Sequence, residues 1–413
     1  MASQSGTNLK SQQLLEAAST GNLERLKNLA AQLDDGKGLA RTIADTKHLK
    51  DGQTALHVAV RNGKLEVFKY LVDDLKLDFE SKDGKGFTPL HHAASEGHKQ
   101  LVQALISRGA NVNAEADWGT PLNMAAGNGR HGVVVMLLTH HANPNIGSDG
   151  LFTPLAASIL ATSLLCVSLL IEAGADPNAE ACGESPLLLA TCERETEIMK
   201  FLLKAGADPN VTNDFGMTPL ELAAWKGNHQ EAQILFPVTS RIPTYSDWSI
   251  GGIMRYLRSE EAREQINLKG IGTFKVRKSK GEDAFRKKKY LAAVLWYSKA
   301  LEIDPNNAIV LSNRSLCWAR LKDGDNALSD AEACLMLAHE WPTAYYRAGA
   351  AYSILEVSVI LCVSLFLDKH SLPFARFIDS ASFLCRNKVV AFCFCYVHYC
   401  RNLIKQWMSS LRV

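Results

Sequence analysis

Histidine and cysteine are the side chains best suited to hold a metal ion or to act as base and nucleophile. Here they do not converge. His91 and His92 are neighbours, as are His140 and His141. Adjacent residues on a helix point in different directions, so neither pair aims at one ion. Cys393-Phe394-Cys395 with His398 and Cys400 comes nearest to a ligand cluster, but its spacing departs from the C-x2-C pattern of structural zinc sites. Cys182 and Cys192 read as small, reduced residues of a core or loop. No G-x-G-x-x-G, P-loop, G-x-S-x-G or H-E-x-x-H motif occurs, so nucleotide, acyl-transfer and zinc-protease chemistry lack their signatures. The expectation is a chain with no catalytic residue, no metal and no cofactor. Eight basic residues do fall within fifteen: Lys275, Arg277, Lys278, Lys280 and the run Arg286 to Lys289. Glu282 and Asp283 oppose them. Such a run is a solvated helix face that suits an acidic peptide. Without interleaved aromatic residues it is no platform for single-stranded nucleic acid.

Binding chemistry is what remains, and the composition agrees with it. The chain has 413 residues, 47% apolar and 21% charged, with a formal net charge of +2. That is ample material for a core, and its near neutrality gives no global signal for specific nucleic acid or for a membrane. Ten cysteines at this length do not describe a disulfide scaffold. The opening MASQSGTNLKSQQ has no apolar run of the secretory kind, and no stretch reaches 18 uninterrupted apolar residues. A protein of the cytoplasm, with the nucleus also open to it, is expected, and membrane association is not.

The elements come from a period. T-A-L or T/S-P-L recurs at Thr54, Thr88, Thr120, Thr153, Ser185 and Thr218, at intervals of 34, 32, 33, 32 and 33 residues. Thr or Ser accepts the free amides of a helix's first turn, and proline fits the first helical position because its missing N–H has no partner there anyway. Alanine pairs such as Ala93-Ala94, Ala125-Ala126 and Ala223-Ala224 leave room for a second helix. Gly63, Gly97, Gly129 and Gly227 turn the chain. A leucine-rich run then ends on a loop such as Gly109-Ala110-Asn111-Val112-Asn113. One such unit cannot bury its apolar face alone, so the units must stack. The pattern resembles the ankyrin family. It predicts an array over 10–236, six units after a half-preserved capping repeat. Departures are visible: Thr162 and Arg194 stand at turn-glycine positions, and Leu75 and His141 at loop-glycine positions.

Residues 237–273 break the period and predict a linker with one short helix, Ile253 to Ile266, between glycines. Over 274–352 a second pattern opens. Gly281, Ala284, Tyr290, Ala293, Tyr297, Ala300 and Pro305 are echoed 34 residues later by Ser315, Trp318, Gly324, Ala327, Ala331, Cys334 and His339. This segment resembles the tetratricopeptide family, with two units and the start of a third. The order of the two arrays resembles that of plant ankyrin–tetratricopeptide proteins. Residues 353–413 change composition abruptly into an apolar, cysteine-rich tail. It reads as a membrane-active stretch, a packed cap or an alternative coding end. The fold class expected is all-α: an ankyrin-repeat solenoid followed by a short, incomplete tetratricopeptide solenoid.

The two resemblances imply a non-enzymatic scaffold or adaptor with protein partners. On the ankyrin face, Lys85, Phe87, Trp118, Phe152 and Phe215 lie at or beside hairpin tips that the stack does not need for its own cohesion, and aromatic residues dominate binding hot spots. Some tetratricopeptide proteins are co-chaperones that clamp the acidic C-terminal tail of Hsp70 or Hsp90 between lysine, asparagine and arginine side chains. The resemblance carries that role to Lys278, Asn313 and Arg347. It also places Glu282 where the clamp has an asparagine and Thr343 where it has a lysine. Glu282 repels a carboxylate, and Thr343 removes a cation. The alternative reading is a regulatory or substrate-recognition subunit of a phosphatase or ubiquitin ligase.

Overall fold

The computed structural model describes residues 2–48, 51–147, 152–339 and 341–355, with side chains from residue 9 onward. The tail over 356–413, with its Cys393, Cys395, His398 and Cys400, lies outside the described residues. The protein is all-α and forms two compact units, Met1–Lys269 and Gly270–Val413.

The first unit is a stack of short helix pairs. It opens with α1 (Ala2–Thr20), α2 (Leu23–Leu33) and α3 (Leu39–Asp45). Six pairs follow. In the first, α4 (Ala55–Arg61) meets α5 (Leu65–Lys69), which continues into a π-turn at Tyr70–Asp74. Next come α6 (Pro89–Glu96) with α7 (Lys99–Ile106), and α8 (Pro121–Gly127) with α9 (His131–Thr139). The last three are α10 (Pro154–Leu160) with α11 (Leu164–Glu172), α12 (Pro186–Glu193) with α13 (Thr196–Lys204), and α14 (Pro219–Trp225) with α15 (His229–Leu235).

Each recurring Thr or Ser sits just before the first helix of its pair with extended backbone, and Pro occupies the first turn in all pairs but the first. First helices pack on first helices along the row, from α1 through α14. The second helices α7, α9, α11, α13 and α15 form a parallel layer behind them. One continuous core from Leu14 to Leu257 runs between the layers, so each unit buries the apolar face its neighbour cannot.

The turns tolerate the missing glycines by straining. Thr162 (φ 50°), Arg194 (φ 63°) and His141 (φ 62°) adopt the left-handed conformation that their neighbours give to glycine. The first pair solves the problem differently. Leu75 stays right-handed at φ −87°, while the π-turn adds a residue and moves the left-handed position on to Lys76 at φ 56°.

The expected linker is not one. Residues 237–269 belong to the first unit. They carry α16 (Ile250–Leu257), which packs on α14 and extends the row of first helices by one member. Tyr245, Ile253, Met254 and Leu257 are buried in the common core. The expected single helix Ile253–Ile266 is interrupted at Arg258, and a new helix, α17, spans Glu260–Arg286 through Gly270, Gly272 and Gly281.

The second unit holds longer paired helices: the end of α17, α18 (Tyr290–Leu301), α19 (Ala308–Arg320), α20 (Gly324–Leu337) and α21 (Pro342–Ile354). Ala293, Ala300, Ala327 and Ala331 are fully buried where helices touch, and Tyr297 fills the space between them. Position 281 is glycine because Tyr297 demands it: a Cβ there would lie 2.7 Å from the ring. Arg314 ties the array together, bonding both oxygens of Asp330 at 2.8 and 2.6 Å and the Ser298 hydroxyl at 2.9 Å.

Candidate functional site

In four of the six units the residue three places into the first helix couples that unit to the segment that follows. His57 Nδ1 accepts from the Thr54 amide and hydroxyl at 3.3 and 2.9 Å, so its Nε2–H donates to the Ser81 carbonyl at 2.9 Å. His91 does the same with Thr88 and the Gly119 carbonyl, at 3.1, 2.9 and 3.1 Å. Asn123 reproduces the pattern with an amide, from Thr120 to the Phe152 carbonyl at 2.8 Å. Glu221 accepts from Thr218 and, with its other oxygen, from the Tyr245 hydroxyl at 2.7 Å. Burial drives the His91 pKa down to about 4 and lowers that of His57 as well. Both are neutral structural ties. Ala156 and Leu188 hold the same place in their units and carry no polar group to reach forward.

The hairpin tips divide into held and offered residues. Asp83 is buried. Its Oδ1 accepts from the Lys85 and Phe87 amides at 2.9 Å each, and its Oδ2 pairs with His92 Nε2 at 2.9 Å. Burial alone would raise this carboxyl, but those bonds hold it below the usual range. The Lys85 side chain is exposed, and Trp118 is exposed over 39% of its surface. The three phenylalanines expected at the tips are half-buried instead. Phe87 lies 5.5 and 5.7 Å from the rings of His91 and His92. Phe152 contributes the carbonyl that Asn123 grips. Phe215 packs on the small cluster of Leu188, Met217 and Leu222. Of the five predicted face residues, Lys85 and Trp118 are the ones the fold leaves most open to a partner.

The second unit contains a cleft of about 350 Å³ lined by Glu282, Phe285, Arg286, Tyr297, Asn313 and Leu316. Of the three predicted groove residues, Asn313 lines this cleft, and Lys278 and Arg347 are not among its lining residues. Lys278 lies one helical turn before Glu282, and the two form an ion pair at 3.8 Å. Glu282 thus neutralises the first predicted cation as well as crowding the cleft. Arg347 donates from Nε to the carbonyl and hydroxyl of Ser312, the residue before Asn313, at 3.1 and 3.3 Å. It is half-buried, its pKa is lowered by burial, and no carboxylate lies within ion-pair distance of it among the described residues. A guanidinium so placed is stabilised by an incoming anion. Thr343 is half-buried at the start of α21 and brings no charge.

Among the described residues, no group of His, Cys, Asp and Glu side chains is placed to hold a metal ion, and no helix is long and apolar enough to cross a membrane. The thiols of Cys166, Cys192, Cys317 and Cys334 are all raised by burial, which disfavours the reactive thiolate.

Comparison with known proteins agrees with this architecture. Residues 14–116 and 166–242 match the model for ankyrin repeats in three copies, and residues 118–149 match the model for a single ankyrin repeat. The rat E3 ubiquitin-protein ligase TTC3 is 34% identical over 96 residues, 23% of this chain and 5% of that protein. The heat shock protein sti1 homolog of Schizosaccharomyces pombe is 43% identical over 74 residues, 18% of this chain and 12% of that protein. Human tetratricopeptide repeat protein 28 is 41% identical over 63 residues, 15% of this chain and 2% of that protein. The chain thus spans only a small part of these curated relatives. Among solved structures, the human ASB11 ankyrin repeat domain aligns at 26% identity with a TM-score of 0.47, over 56% of this chain and 98% of that one.

Proposed function

The chain belongs to the ankyrin-repeat proteins and carries a tetratricopeptide-like region beside the repeats, and from that premise we propose that it is a non-enzymatic adaptor holding two protein partners on one chain. The ankyrin array selects one partner through its open hairpin tips, with Lys85 and Trp118 at the contact. The cleft of the second unit takes the acidic C-terminal end of the other, of the kind found on Hsp70 and Hsp90. The observation that carries this half is Arg347, a half-buried guanidinium without a carboxylate partner among the described residues, bonded to Ser312, the neighbour in α19 of the cleft-lining Asn313. Similarity to the heat shock protein STI1 supports the same direction. Joining two weak contacts on one chain raises effective concentration, which is what an adaptor contributes. We place the work of such a protein in the cytoplasm, with the nucleus also open to it.

The test is a pull-down with C-terminal Hsp70 and Hsp90 peptides. The full chain is captured, and Arg347→Ala is not. Failure of capture, or capture indifferent to Arg347→Ala, removes the acidic-tail assignment. If the chain instead co-purifies with a phosphatase or ubiquitin-ligase catalytic subunit through residues 1–269, it is a recognition subunit of that enzyme.

A further inference from the structure

The first unit holds a cleft of about 560 Å³ between α1, the residues His48, Asp51 and Gln53, and the first helices α4 and α6. That volume is in the range of ~300–1,000 Å³ usual for ligand sites. Leu15 and Val58 give it an apolar lining. Around them stand Glu16, Asp51 and Glu96, with Arg61 and His48 as the basic members. The carboxylates are poorly satisfied. Asp51 Oδ1 accepts from His48 Nδ1 at 2.8 Å and from the Gln53 amide N–H at 3.2 Å, while its Oδ2 has no partner among the described residues. Glu96 approaches Arg61 only to 3.9 Å, and Glu16 approaches Arg25 to 3.5 Å, both across exposed side chains. Pairs of that length and exposure hold little energy and exchange readily.

Gln53 supplies the independent observation. It is 7% exposed and lines the cleft. Its backbone N–H and carbonyl are both bonded, to Asp51 and His48. Its side-chain amide makes no hydrogen bond to the protein among the described residues, and its oxygen and nitrogen open onto the cleft instead of being sealed in the core. The amide is therefore presented to whatever enters. The oxygen of this amide and the oxygens of three carboxylates make the cleft rich in acceptors. The complementary group is cationic, planar and rich in donors, with an apolar stem to lie on Leu15 and Val58. Arginine has that chemistry.

We propose that this cleft is the seat for an arginine side chain from a basic segment of the ankyrin array's partner. The inference rests on the adaptor reading and adds the partner's chemistry to it. It is tested with a random peptide library displayed on phage, selected against the full chain and against its E16Q/E96Q variant at about 50 mM salt, where charges are weakly screened. Peptides selected by the native chain are enriched in arginine, and the enrichment disappears on the variant. The best synthetic peptide binds the variant about tenfold more weakly, the loss expected for removing charge-assisted hydrogen bonds. Its Arg→Gln version binds neither. Glu16 and Glu96 are exposed, so the variant's thermal melt stays that of the native chain. Selection without arginine enrichment, or equal affinity for both proteins, overturns the proposal. Since the second unit is scored with acidic peptides, a chain that binds those yet selects no arginine sinks this site alone and leaves the adaptor reading standing.

Discussion

Neutral histidine is the pH-sensitive part of the stack at the scale of single residues. The native state holds His91 uncharged with a pKa near 4, whereas the unfolded chain protonates it near the ordinary value of 6.5. Between those values the unfolded state binds the extra proton, so stability is full above about pH 6.5 and falls as the pH drops toward 4. His57 acts with the same sign. His91→Asn keeps both bonds, as Asn123 does in its own unit, and removes about 3 kcal/mol of that pH dependence. Urea unfolding at pH 7 and pH 4.5 measures it; an unchanged slope in the variant refutes the role given to His91. Thr162 offers a second measurement. A β-branched residue at φ 50° costs more than glycine's extra chain entropy, so Thr162→Gly raises stability by about 0.5–1 kcal/mol. The recurring threonines, prolines and alanines were legible in the sequence because their roles are local. The exposure of Phe87, Phe152 and Phe215 was not, because it depends on what the next hairpin and Ile266 bring against them.

Elements beyond the repeats follow contacts that no local pattern announces. The segment after Phe236 looks turn-rich, and Pro243 does exclude a helix there. Yet Tyr245 stacks with Trp248 and Tyr256, Phe236 meets Trp248, and the Tyr245 hydroxyl closes on Glu221. These contacts make α16 a cap for the last repeat. Tyr245→Phe removes one bond to a carboxylate and lowers stability by about 1.5–3 kcal/mol. Deuterium exchange places the loss first in residues 218–257; a change confined to other repeats contradicts the capping role. Glycines 270 and 272 misled in the opposite sense. Expected to bound the short helix, they lie inside α17, as does Gly281, where the Tyr297 ring leaves space for a hydrogen and nothing larger. Gly281→Ala therefore destabilises the second unit, although alanine is the better helix former. A melt showing that unit strengthened would mean the ring packs elsewhere.

Taken as a whole, the molecule has two units with different surfaces to offer, and among the described residues neither groups His, Cys, Asp and Glu side chains so as to hold a metal ion. The ankyrin array offers open tips and an acceptor-rich cleft. The second unit offers Asn313 and Arg347, with Lys278 held back by Glu282. That ion pair turns the departure from the clamp pattern into a graded effect. Glu282→Asn removes a repelling carboxylate, frees Lys278 and adds a donor, so an acidic tail gains about tenfold or more in affinity. The most direct measurement is calorimetric titration of the full chain with the C-terminal peptide of Hsp90. The native chain binds it, Glu282→Asn binds it more tightly, and Arg347→Ala binds it hardly at all. A native chain that takes up no peptide, or affinities that ignore both substitutions, would contradict the account.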